Sequence, residues 1–165
     1  MRNVELLTRV YRGYAVAVLR GELDTTDAEA VAGVVAALTA GGRQLIIDLE
    51  ALDFIDCHAV GALLGVRATA RQAGGDVLLA APHGPVLRVL TMLGVPGVHA
   101  SVAAAADSAG SDGRRRAAGI ARFRRAALSG ARYWMAAQNA VVSGPRADGP
   151  PGTLRWLRAR TGLRG

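Results

Sequence analysis

Two glycine pairs constrain this chain more than any other feature in it. Gly41-Gly42 closes a run in which Ala30, Val31, Val34, Val35 and Leu38 recur at helical spacing, and Gly74-Gly75 closes a second helical run over residues 57–73. Glycine just past such a run stops a helix. Each pair is followed at once by a short apolar segment, residues 44–49 and 76–81, and a short apolar run between turn signals is a buried strand. Strands separated by helices need crossover connections, which are right-handed and pair the strands in parallel.

The remaining elements extend the same pattern. Residues 4–10 and 14–19 read as two strands joined at Arg12-Gly13, a candidate antiparallel hairpin. Thr26 and Glu29 have the spacing of a capping box at the start of the first helix. Residues 50–55 read as a loop leading to Asp56. On the second helix Val60, Leu63, Leu64 and Ala68 should face inward, and Arg67 and Arg71 outward. Pro82 ends a strand, Pro85 suits the first turn of a third helix over 86–93, residues 98–102 read as a short last strand, and 103–107 as a helical stub. The order β-β-α-β-α-β-α-β-α predicts a mixed, mostly parallel sheet with about four helices.

Charge divides the chain. Residues 1–109 carry 8 Arg against 11 Asp and Glu, a net of −3, and residues 110–165 carry 12 Arg against 2 Asp, a net of +10. The predicted division is an α/β domain over 1–107 and a basic C-terminal extension over 108–165, opening on the linker-like stretch 108–113. In the extension Ile120, Phe123, Ala127, Ala131 and Trp134 share one side of a helical wheel and several arginines the other, with Gly119 and Gly130 weakening any helix. Such a segment is either a disordered Arg-rich tail or an amphipathic helix able to touch anionic membranes or nucleic acid without sequence preference. Cys57 is the one cysteine, so no intrachain disulfide forms. No window reaches the ~18 apolar residues of a spanning helix and the first residues lack a signal-peptide pattern, so a soluble cytoplasmic protein is expected.

Three segments carry a resemblance to a known family. They are Arg20-Gly21-Glu22-Leu23-Asp24; LIIDLEALDFIDCHAVG over residues 45–61; and Gly74-Gly75-Asp76 with its following strand, together with Pro85-Val86-Leu87-Arg88-Val89-Leu90-Thr91-Met92-Leu93-Gly94. In order and spacing they resemble the STAS family, best known from bacterial anti-sigma factor antagonists, over about residues 4–106. The resemblance implies the STAS fold. It also implies a partner-binding surface at Asp24, Asp56, Cys57 and His58. Phospho-regulated members have D-S-S-G where this chain has Asp56-Cys57-His58-Ala59, so the phospho-acceptor serine falls on Cys57 and phosphorylation control is not expected.

Read from the residues alone, Asp24 closes a turn and Asp56 caps a helix. A thiol in the first turn of a helix is a candidate redox-sensitive group, opposed here by the Asp56 carboxylate; alternatively it is a small residue standing in for serine. His58 with His83 and His99 shows no metal-ligand spacing, and neighbours on a helix point about 100° apart, which disfavours a Cys57–His58 catalytic pair. No cofactor, metal or catalytic activity is expected. The resemblance implies an anti-sigma factor antagonist that binds an anti-sigma factor of histidine-kinase-like ATPase fold and so releases a sigma factor. The alternative is a STAS accessory subunit of a membrane transporter of the lipid ABC type.

Overall fold

The computed structural model describes residues 4–111 and the backbone of residues 154 and 155. The elements are β1 (Val4–Tyr11), β2 (Tyr14–Leu23), α1 (Thr25–Thr39), β3 (Gln44–Ile55), α2 (Cys57–Gln72), β4 (Asp76–Ala80), α3 (Gly84–Met92), β5 (Val98–His99), α4 (Val102–Ser111) and β6 (Leu154–Arg155). They build one sheet of order β5-β4-β3-β2-β1-β6. β1 and β2 form an antiparallel hairpin, and β2, β3, β4 and β5 run parallel. Arg12 and Gly13 both take positive φ, +48° and +84°, as a two-residue type I′ turn requires.

Strand alternation sorts the core into two layers. Ala15, Ala17, Leu19, Leu45, Ile47, Leu49, Val77 and Leu79 face α1, α2 and α3. Tyr14, Val16, Ile46, Leu78 and Ala80 face Ala105, Ala106 and Ala109 of α4. Burying each large aliphatic side chain contributes about 1.5–3 kcal/mol, so the larger layer under three helices dominates stability.

The two glycine pairs meet in space. Gln44 pairs with Asp76 at the starts of β3 and β4, and a Cβ on Gly75 would run into the Arg43 carbonyl oxygen and the Gly42 backbone. The second glycine of that pair is thus demanded by close backbone approach as well as by the helix stop.

Several boundaries differ from the sequence reading. Residues 50–55 are strand, not loop: β2 continues to Leu23 and pairs with β3 as far as Ile55 through two register shifts, so Leu49, Leu52 and Ile55 are the buried positions. A bulged strand loses its period of two, which hides it from pattern reading. The first helix begins at Thr25 with Asp24 as its N-cap, two residues ahead of the Thr26 expected from the Thr26–Glu29 box. On α2 the buried stripe is Ala59, Val60, Leu63, Arg67 and Ala70. Arg67 therefore points inward, and Ala68 is exposed. Burial of Arg67 is tolerated because its Nε donates to Asp76 Oδ1 at 2.8 Å and its guanidinium also reaches the Pro96 carbonyl. β5 stops at His99, and Ser101 caps α4 by accepting from the Ala104 amide at 3.1 Å. α4 then runs to Ser111 with Ala109 buried, so residues 108–111 are helical where linker was expected. The rest of the extension lies outside the described residues apart from β6, which pairs antiparallel with β1.

Candidate partner-binding site

Parallel pairing of β2 with β3 sets Leu23 level with Ile55. The next residue on each strand, Asp24 and Asp56, is the N-cap of the following helix. Two helix starts are thereby delivered side by side at the carboxyl ends of the two middle strands, along one edge of the domain. Both caps have extended backbones, and each carboxylate accepts an amide hydrogen of its own first turn: Asp24 Oδ1 from Thr26 at 2.9 Å, Asp56 Oδ1 from Ala59 at 2.7 Å. These bonds satisfy amides that a helix cannot pair internally.

Asp56 does more than cap its own helix. Its Oδ2 accepts from both the amide and the hydroxyl of Thr25, each at 2.8 Å, and its own amide donates to the Leu23 carbonyl at 3.2 Å. The residues on both sides of Asp24 are thus bonded to Asp56. Burial by itself would raise the Asp56 pKa; the hydrogen bonds from Ala59 and Thr25, with the nearby His58, outweigh it and hold the carboxyl below its ordinary value of 3.8. The group is a carboxylate that accepts three hydrogen bonds, two at Oδ2 and one at Oδ1.

Cys57 is the first residue of α2 and is exposed. His58 is exposed too, with Nε2 3.6 Å from Glu29 Oε1 on α1. At that distance and exposure the pair contributes little to stability. The structure brings Asp24, Asp56, Cys57 and His58 onto one edge, and adds Thr25, which pattern reading passed over, and Glu29, which was expected there as part of a capping box. Thr25 is the first residue of α1 and its partner lies 31 positions away, so no local motif could mark the bond. Among the described residues no group of three His, Cys, Asp or Glu side chains could hold a metal ion, and no helix is long and apolar enough to cross a membrane.

The class defined by this architecture is an α/β domain in which adjacent parallel strands feed two capped helices at a common edge. The family model for the STAS domain matches residues 5–105, nearly all of the described α/β unit, and the chain belongs to the STAS family. Among solved structures it resembles the anti-sigma factor antagonist SpoIIAA in its unphosphorylated form, at 25% identity and a TM-score of 0.53, over 67% of this chain and 97% of that one. It also resembles an anti-sigma factor antagonist from Mycobacterium paratuberculosis at 21% identity and a TM-score of 0.57, over 64% of this chain and 93% of that one. A likeness in fold extends to the murine anion transporter Slc26a9, at 19% identity and a TM-score of 0.54, over 67% of this chain but 22% of the transporter.

Proposed function

We propose that this chain is an anti-sigma factor antagonist. It binds an anti-sigma factor of histidine-kinase-like ATPase fold through the edge formed by Asp24, Asp56, Cys57 and His58, and thereby frees a sigma factor. The observation that carries this reading is the pairing of the two capped helix starts at one edge, with Cys57 and His58 exposed on it, in a STAS domain that resembles anti-sigma factor antagonists. Thr25 and Asp56 tie the two helix starts together, so the edge is held ready before a partner arrives, which lowers the ordering cost of association. Because a thiol stands where the resemblance places the phospho-acceptor, binding is not switched by serine phosphorylation at residue 57. The transporter-subunit reading is supported by the Slc26a9 likeness in fold alone, and it predicts association with a permease in place of an anti-sigma factor.

The test is calorimetric titration of the full chain against anti-sigma factors encoded in the same genome. Cys57→Arg and His58→Glu alter exposed side chains only, and each should weaken binding at least tenfold, about 1.4 kcal/mol, with unchanged melting. Full-strength binding by both variants would move the interface elsewhere on the domain. Failure of every anti-sigma factor to bind, with capture of a permease, would favour the transporter reading.

A further inference from the structure

β1 lies at one margin of the sheet, with the two-residue β6 beyond it. The strand runs eight residues, Val4–Tyr11, yet among the described residues its outer side is paired at Leu7 and Thr8 alone. An edge strand is a template for another chain unless a proline, a bulge, short length or a repelling charge blunts it. β1 has no proline, and its pairing with β2 runs end to end without a register shift. Its sequence, VELLTRVY, is rich in strand formers. Val10 shares the helix side of β1 with Leu6 and is 41% exposed, one of four exposed large apolar side chains among the described residues.

The charges on β1 suit a second copy of the same strand. When two copies join antiparallel about a two-fold axis normal to the sheet, directly opposite residues share a face, so even positions must meet even ones to keep all the helices on their side. Centred on Leu7, such a register sets Leu7 against Leu7, Leu6 against Thr8, Glu5 against Arg9 and Val4 against Val10. Opposite charges and apolar side chains directly across a strand pair attract. Centred instead on Leu6 or Thr8, the register sets Glu5 against Leu7 or Tyr11 and loses the charge match. Both charged groups keep their partners within one copy: Arg9 holds Asp48 at 2.8 Å while its side chain stays 43% exposed, and Glu5 lies 3.8 Å from Arg20. A guanidinium has five donors and a carboxylate accepts several bonds. The new contact therefore joins Asp48 and Arg9 of one copy to Glu5 and Arg20 of the other in a row of alternating charge, and symmetry repeats the row.

We propose that β1 is a self-association edge, through which two copies join their sheets antiparallel about Leu7, and that β6 is its cap in cis. β6 pairs with Leu7 and Thr8, the centre of that register, so the cap and the second copy exclude one another. The cap spans two residues, whereas the joined strands overlap over residues 4–10.

In the full chain, Leu154→Pro with Arg155→Pro removes the backbone donors of β6. Sedimentation velocity over a dilution series should show this variant dimerising about tenfold more tightly than the wild type, or better. Glu5→Gln in the same background should weaken the dimer severalfold, because the charge pair occurs twice. Disulfide trapping in that background, with Cys57→Ala to remove the native thiol, reads the register. Directly opposite Cα atoms lie about 4.5–5.5 Å apart, within disulfide reach. Leu7→Cys should trap a homodimer. A mixture of Val4→Cys and Val10→Cys, which leaves Leu7 intact, should trap a heterodimer. Val10→Cys alone should not, since its two copies lie about six residues, ~20 Å, apart along the joined strands. Equal association of the wild type and the proline variant overturns the capping role of β6. A proline variant that stays monomeric, a dimer indifferent to Glu5→Gln, or trapping by Val10→Cys alone as fast as by the mixture overturns the proposed edge.

Discussion

Thr25 gives both its backbone amide and its hydroxyl to a single oxygen of Asp56, each at 2.8 Å, while the other oxygen of that carboxylate holds the Ala59 amide. One side chain therefore fastens the first turns of α1 and α2. Asp56→Ala should lose the cap, about 0.5–2 kcal/mol, and leave the Thr25 groups unpaired as well. Thr25→Val should lose one hydroxyl bond, about 0.5–1.5 kcal/mol. Since the two residues share that bond, the double variant should be less destabilised than the sum of the singles, by at least 0.5 kcal/mol on the order set for contacting pairs. Urea melts of the four proteins check this; strict additivity would mean that the bond contributes nothing in solution.

The same carboxylate makes stability depend on acid. Its folded pKa is held below the ordinary 3.8, so the folded state favours the ionised form. That contribution is present above the unfolded pKa and is lost as pH falls through the folded value. Stability of the wild type should therefore drop below about pH 4 more steeply than that of Asp56→Asn, which has no charge to lose at this site. Urea midpoints at pH 7, 5 and 3 measure the difference between the two proteins. Parallel pH profiles would show that Asp56 is not preferentially ionised on folding.

On the proposed function, the thiol at residue 57 removes the acceptor for serine phosphorylation. Incubated with a cognate anti-sigma kinase and ATP, the wild-type chain should remain unmodified at residue 57, and Cys57→Ser should become phosphorylated there if the kinase docks on this edge. Intact-mass and peptide spectrometry distinguish the outcomes. Phosphate on wild-type residue 57 would refute the reading. An unmodified Cys57→Ser protein that still binds the kinase would show that the edge is presented differently from that of phospho-regulated relatives.

What could be read ahead of the structure was whatever is local. Helix stops at Gly41-Gly42 and Gly74-Gly75, the Arg12-Gly13 turn and the apolar runs around Ile46 and Leu78 each carry their signal within a few residues, and the α/β order follows from them. The STAS resemblance led to Asp24, Asp56, Cys57 and His58, and the helix-start pattern around Asp56 gave its capping role independently. What escaped needed distant partners. Arg67 reads as a solvent-facing charge until Asp76 and Pro96 are known to surround it. The second half of β3 is stabilised by a bulged pairing with β2, and the resulting spacing of Leu49, Leu52 and Ile55, every third residue, lacks the period of two that marks a strand. Thr26 and Glu29 matched a capping box, yet Asp24, two residues earlier, is the cap because its carboxylate accepts the Thr26 amide.

Arg67 yields the sharpest prediction about stability. Its guanidinium is nearly buried, paired with an Asp76 carboxylate that keeps about a fifth of its side chain exposed, and pressed against the backbone at Gly97, where an added Cβ would collide with it. Removing one partner of a buried ion pair costs about 3–5 kcal/mol; with Asp76 still reachable by water, Arg67→Ala should cost less, about 2–3 kcal/mol on that scale, including the lost packing of its stem. Arg67→Met keeps the stem and should recover part of the loss, more so when Asp76→Asn removes the stranded charge. Gly97→Ala should also destabilise, because Gly97 takes φ +72° and because the guanidinium cannot yield without breaking its bond to Asp76. In the Arg67→Met background the steric part of that penalty should shrink while the backbone part, roughly 1–2 kcal/mol for a non-glycine residue in the left-handed region, remains. Chemical denaturation of the set separates the two. If Gly97→Ala costs the same with and without Arg67, the guanidinium does not occupy this site in solution.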